Sequence, residues 1–236
     1  MNSTPPTLPS SDHMRRVSTW IVGFAFALVV VGLALLPLTG PGFTQAVTAR
    51  YSLAEEAGLP PARMLAIAEQ VRAFVVDSEG ASLPATVDGR SGCDAGAVSH
   101  LIDVRTLLDR ARRFTGLITL LVAIWVALQL RGRRVARISA ALRAGAVLTL
   151  VLIAVAAAAA LSDFERFFSV FHGLFFRSGT WTFPYDSLLI QAFPEPFWAT
   201  CGVAWAALMV LGAGVLVGLA QLLRMPRRET TLKRSE

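Results

Sequence analysis

The chain is 236 residues long, 54% hydrophobic and only 16% charged, with a formal net charge of +6. Its mean hydropathy is +0.57, whereas soluble domains carry about a quarter charged residues. These figures exclude a disordered chain, a collagen-like fibre and a disulfide-stapled miniprotein, and the two cysteines, Cys93 and Cys201, have no metal or redox spacing.

What remains is a polytopic membrane protein whose polar residues are gathered in a few segments. Residues 1–16 form a tail that is rich in Pro, Ser and Thr up to Asp12 and reads as disordered there. Residues 17–38 carry no charge and are long enough to cross a bilayer, which takes about 20 helical residues. A helix stop follows at Thr39, Gly40, Pro41 and Gly42. Arg15 and Arg16 could head a signal peptide, but the run is long for one and no Ala-x-Ala site follows. We read it as an uncleaved anchor.

Residues 39–113 are long enough for a small cap. Pro60 and Pro61 open a helical pattern with Met64, Ile67, Val71 and Phe74 at spacings of three and four. A turn-rich stretch over 77–96 separates it from a second helix over 97–113, with Leu101, Val104, Leu108 and Ala111 on one face. That helix leads into a second span at 114–130. A loop at 131–137 connects to a third span at 138–161, whose one charge, Arg143, can snorkel to the near surface. Residues 162–196 are dense in aromatics, including Phe164, Phe167, Phe168 and Phe183. The fourth span, 197–223, offers Gly202, Gly212, Gly214 and Gly218 as points of close helix approach, and residues 224–236 form a second tail. The expected fold is an all-α polytopic membrane protein: four transmembrane helices with a small, largely helical extracellular cap.

Basic residues set the orientation. With the N-terminus in the cytoplasm, 1–16, 131–143 and 224–236 lie inside. They hold 12 of the 22 Lys+Arg and three of the 16 acids, a net of +9. The other ten basic and thirteen acidic residues leave −3 outside. An even helix number returns both termini to the cytoplasm. The basic pI of about 10.5 therefore reflects membrane topology, and no nucleic-acid partner is expected. Arg110, Arg112 and Arg113 run against the rule, since this topology puts them outside.

No P-loop, G-x-S-x-G, H-E-x-x-H or dinucleotide fingerprint occurs. The chemistry narrows to histidines. His13 lies in the cytoplasmic tail, while His100 and His172 both lie outside near membrane boundaries. One such histidine reads as an interfacial polar residue with a satisfied hydrogen bond; two on one side point to proton transfer near neutral pH. Asp103, three residues after His100, can share its helix face and steady the ring. The aromatic segment is mostly an interfacial belt, which explains neither His172 nor Asp186 within it. On residues alone two other readings stay open. A metal-dependent hydrolase would use His100, His172 and Asp103 or Asp186 as ligands. A non-enzymatic cap protein would bind a partner and tolerate loss of both histidines.

The pattern His100-x-x-Asp103-Val104, followed by Arg105, resembles the His-x-x-Asp-Val motif of the lipoprotein intramolecular transacylase family. Phe171, His172, Phe175 and Phe176, then Trp181, Asp186 to Ile190 and Phe193 to Trp198, are similar to its second signature. The resemblance implies a four-helix bacterial membrane protein with an extracellular cap, resident in the cytoplasmic membrane. It implies acyltransfer on diacylglyceryl-modified lipoproteins at the membrane lipid, without cofactor or metal. The sn-2 acyl chain would move to the free α-amine of the N-terminal cysteine, giving a lyso-form lipoprotein. His100 and His172 would be base and acid in either order, with Asp103 and Asp186 supporting. Phe171, Phe175, Phe176, Trp181, Tyr185 and Trp198 would line the substrate pocket. Residues 77–96, with Cys93, match nothing in the pattern.

Overall fold

The computed structural model describes residues 11–77, 82–177 and 179–224. The disordered tail expected over residues 1–10, residues 78–81 of the turn-rich stretch and the second tail over 225–236 lie outside that range. The first helix, α1, runs Ser11–Leu35 and tightens into a 3-10 turn at Leu36–Thr39. Helix α2 (Pro41–Tyr51) starts at once, capped by Gly40 with Pro41 in its first position. The expected stop at Thr39 to Gly42 is thus a corner between two helices, because proline suits the first turn of a helix as well as the end of one.

Helix α3 (Pro61–Val76) again has proline in its first turn and buries Met64, Ile67, Ala68 and Val71. Between it and α4 lies a two-stranded antiparallel hairpin, β1 (Thr86–Val87) and β2 (Arg90–Ser91), turning through Asp88 and Gly89 at positive φ. Asp94 then caps α4, its carboxylate accepting from Ala97 N–H at 2.7 Å. Helix α4 runs unbroken over Ala95–Arg131, about 55 Å at 1.5 Å per residue. Its first half carries Asp103, Arg105, Asp109, Arg110, Arg112 and Arg113 and stands above the apolar second half.

A short turn leads to α5 (Val135–Ser162). Asp163 ends α5 in an extended conformation and in the same step caps α6 (Phe164–Phe175), accepting from Arg166 N–H at 2.9 Å. Ser187 caps the short α7 (Leu188–Ala192), and α8 (Glu195–Leu222) completes the chain. Four helices, α1, α4, α5 and α8, contain windows long and apolar enough to cross a membrane. Their outward faces expose Ile21, Leu117, Val155, Val203 and Leu211, which is the pattern of a bundle facing lipid hydrocarbon.

Two cores result. The bundle core gathers Phe26, Val30, Leu142, Met209, Ala213 and Leu216, with α1 crossing α5 at Gly23 and Gly145. A Cβ on Gly145 would meet Phe26 Cβ at 2.7 Å and Gly23 O at 3.0 Å. The glycines expected to serve this purpose on α8 mostly do not: only Gly212 packs closely, against Val30, while Gly202, Gly214 and Gly218 face open space. Arg143 turns back along α5 toward Ser139, as its position near the helix end requires.

The second core is the cap. Met64, Ile67, Val71, Val87, Cys93 and Leu101 pack together with Leu188, Phe193 and Phe197. Each fully buried large side chain contributes about 1.5–3 kcal/mol. Polar clamps fix α3 against α4 at the carboxyl end of α3. Arg105 donates to Phe74 O at 2.6 Å with its guanidinium 4.0 Å from the Phe74 ring, and Arg112 donates to Val76 O at 2.8 Å. Arg72 joins Glu69 and Asp77 at 2.7 Å each. The arginine at 112 that opposed the charge rule therefore serves the C-terminal carbonyls of α3, where a cation is favoured.

Candidate active site at the cap–bundle junction

Helix α4 carries His100 in its second turn, facing the cap core, and α6 carries His172. The two imidazoles come together, with ring centroids 6.4 Å apart. His100 is buried and also meets Phe176 edge-on at 4.9 Å and Phe183 at 5.6 Å. His172 lies against Phe168 at 3.9 Å, Trp181 at 4.9 Å and Phe176 at 5.6 Å.

Both rings are outside the apolar spans, and aromatic burial holds both below the ordinary imidazole pKa. His172 adds a repulsive charge that lowers His100 further, while Asp103 acts weakly in the opposite sense. For His172, a hydrogen bond to Phe168 O partly offsets burial. Two neutral imidazoles at neutral pH follow.

The hydrogen bonds around them are incomplete. Nδ1 of His172 lies 2.8 Å from Phe168 O. A carbonyl can only accept, so Nδ1 carries the proton and Nε2 keeps its lone pair. His100 Nδ1 and Trp181 Nε1 are buried without a hydrogen-bond partner among the described residues. Buried polar groups left unpaired are costly; one of these belongs to the imidazole pair and the other lies against it.

Of the sequence-predicted residues, Phe171, Phe176 and Trp181 join the histidines. Phe175 packs on Phe171 and is half exposed. Trp198 reaches Phe168 at 6.4 Å and donates its own N–H to Phe193 O. Asp103 is exposed and accepts no hydrogen bond from His100 Nδ1. Tyr185 is 68% exposed and makes no ring contact with either histidine; Asp186 is exposed, with no hydrogen bond or ion pair among the described residues. Phe168 and Phe183 belong to the site although the pocket predicted from sequence omits them. The signal for Phe168 was helical spacing, since Phe164, Phe167, Phe168 and Phe171 recur at three and four around His172. Phe183 lies in the non-helical stretch before α7 and carried no such signal.

Among the described residues no group of three His, Cys, Asp or Glu side chains is placed to hold a metal ion. Cys93 is buried in the cap core, where burial and neighbouring Asp94 push its thiol pKa up. Beside α4 a cleft of about 280 Å³ opens between α1 and α4, lined by Gly32, Leu36, Leu108, Ala111, Arg112 and Thr115. Leu108 lies about 12 Å along the helix from His100 at 1.5 Å per residue.

The family model described as "Lipoprotein intramolecular transacylase Lit" matches residues 18–198. No curated protein matches the chain. Among solved structures, the membrane integral lipoprotein intramolecular transacylase from Bacillus cereus, determined in meso, superposes with a TM-score of 0.72 at 18% identity. The match covers 90% of this chain and 97% of that one. Two structures of that protein with one histidine replaced, by arginine or by alanine, match at 17% identity and a TM-score of 0.65. They cover 90% of this chain and 92% and 94% of theirs. At this identity the likeness shows the fold.

Proposed function

This chain belongs to the lipoprotein intramolecular transacylase family, and from that premise we propose that it converts diacylglyceryl lipoproteins to the lyso-form by two-histidine proton transfer. The observation that carries the mechanism is the pairing of His100 and His172 at 6.4 Å inside an aromatic pocket. The α-amine of the lipoprotein's N-terminal cysteine attacks the sn-2 ester carbonyl. One N–H proton must leave as the C–N bond forms, and one proton must reach the glyceryl oxygen as the C–O bond breaks.

His172 Nε2, with its free lone pair, takes the amine proton. The same proton returns to the leaving glyceryl oxygen, directly from His172 or through His100, so the enzyme ends as it began. A neutral base of this strength matches an α-amine of pKa near 8. Trp181 Nε1–H, buried and unpaired beside His172, donates to the carbonyl oxygen as it gains charge. Amine and ester belong to one substrate, so confinement supplies much of the acceleration. The α1–α4 cleft is suited to hold an acyl chain beneath the site.

The cap faces outside, and both termini face the cytoplasm, on the strength of the arginine distribution. Glu56, exposed on the cap, tests this: Glu56→Cys should react with a membrane-impermeant maleimide in intact cells, while buried Cys93 stays silent. Protection of Glu56→Cys until the cells are opened would reverse the orientation. For the activity, mass spectrometry of lipoprotein N-termini should find the lyso-form only in cells that make this protein. Its absence from expressing cells with correctly inserted protein would refute the assignment.

A further inference from the structure

The end of the bundle away from the cap holds a cavity of about 340 Å³ between the start of α1, the end of α4 and the start of α5. This is at the small end of the range for ligand clefts, and nothing in the two-histidine reading uses it. Arg15 and Arg137 flank it, and neither has a carboxylate partner among the described residues. The α5 N-terminus adds its own positive field. Val22, Trp125 and Ala140 form an apolar wall toward the membrane interior.

The remaining polar lining is of one kind. Ser18 and Thr19 each donate their hydroxyl hydrogen to Arg15 O at 2.9 Å, so toward the cavity their oxygens accept. Gln129 Oε1 is buried without a donor among the described residues. Two cations and three acceptors converge below an apolar wall.

We propose that this cavity is a binding site for the phosphoglycerol headgroup of an anionic phospholipid. The phosphodiester oxygens accept from Arg15 and Arg137, and the glycerol hydroxyls donate to Gln129, Ser18 and Thr19. The acyl chains descend past Trp125 and Val22. A choline headgroup fits poorly, having no donor and bringing a cation to two arginines. Inorganic phosphate near neutral pH satisfies the arginines but brings fewer donors than there are acceptors and no acyl chain for the apolar wall. The depth is right for a headgroup, since Arg15 lies two residues before the uncharged run at 17–38 and Arg137 stands in the first turn of α5. Basic pockets between membrane helices are the usual cradle of anionic headgroups.

The test uses the full chain reconstituted with phosphatidylcholine alone or with one quarter phosphatidylglycerol, then released for native mass spectrometry. Wild type should keep one phosphatidylglycerol and no phosphatidylcholine. Arg15→Gln with Arg137→Gln should weaken retention about 25-fold, taking each arginine as roughly a factor of five. Arg133→Gln with Arg134→Gln, on the same surface but outside the cavity, should keep the lipid. Equal loss in the two double variants would mean diffuse attraction and overturn the proposal, as would unchanged retention in the first. Millimolar glycerol 3-phosphate displacing the lipid would assign the cavity to a soluble ligand instead and refute the lipid reading. Should the arginine variant fold poorly, Gln129→Leu gives an independent reading. Wild type should prefer phosphatidylglycerol to phosphatidate, which lacks the glycerol hydroxyls, and this variant should lose the preference. A preference that persisted would also sink the proposal.

Discussion

Nδ1 of His172 donates to the carbonyl oxygen of Phe168, one turn earlier on α6, at 2.8 Å. The contact fixes the tautomer from within the helix, without the carboxylate that usually orients a catalytic imidazole. It also leaves the lone pair on Nε2, the atom that takes the amine proton in the proposed mechanism. His100 lacks such an anchor, since its Nδ1 is unpaired.

The two rings should accordingly fail together. His100→Ala and His172→Ala should each lower the rate of lyso-form production by about 100- to 10,000-fold at normal membrane levels. The double variant should be little worse than either, because groups acting as a unit are not additive. Near-normal transacylation by either single variant would exclude the two-histidine mechanism.

Trp181 should matter through its N–H and not only its ring. Trp181→Phe keeps an aromatic surface against His172 but removes the donor. Losing one oxyanion donor costs about 100- to 1,000-fold in kcat, with KM little changed. If kcat held steady while KM rose, Trp181 would be a wall of the pocket and no more.

The pH profile should bend. Below about 8 the substrate amine becomes protonated, so the rate falls about tenfold per unit as pH drops. Both imidazoles titrate below about 6.5, and only beneath that point does the base also protonate, steepening the fall to about 100-fold per unit. Asp103 favours the His100 cation and has no part in the His172 shift. Asp103→Asn should therefore leave the bend in place if His172 is the base, and move it to lower pH if His100 is. Stability follows the same sign: the folded state binds protons less readily than the unfolded chain, so it loses stability as pH falls below about 6.5.

Much of this was legible beforehand, and the losses have physical causes. Runs such as 138–161 announce membrane helices because lipid demands continuous apolar helix. Met64, Ile67 and Val71 announced α3 by their period and lie in the cap core. Helix α6 was missed because its aromatics also suit an interfacial belt, and composition hid their period; Asp163, a capping residue before Phe164, was the clue. Asp103 stands three residues from His100, which permits a shared face but cannot tell whether the carboxylate turns inward, and it does not. The meeting of His100 with His172 depends on how α4 and α6 pack, which no local pattern encodes.

The glycines teach the same lesson and allow the sharpest stability test. Counting small residues on α8 cannot say which of them faces a neighbour. Gly145 does, with Phe26 Cβ at 2.7 Å and the backbone oxygen of Gly23 at 3.0 Å from a Cβ placed there. Gly214, on α8, has open space around the same atom. Gly→Ala favours a helix by about 1 kcal/mol, so Gly214→Ala should be neutral or slightly stabilising. In Gly145→Ala the added methyl meets backbone that cannot rotate aside, and overpacking of this kind costs about 1–3 kcal/mol. Gly145→Ala should therefore unfold at lower temperature in detergent than wild type, and Gly214→Ala should not. Equal midpoints for the two variants would show that α1 and α5 do not cross at Gly23 and Gly145.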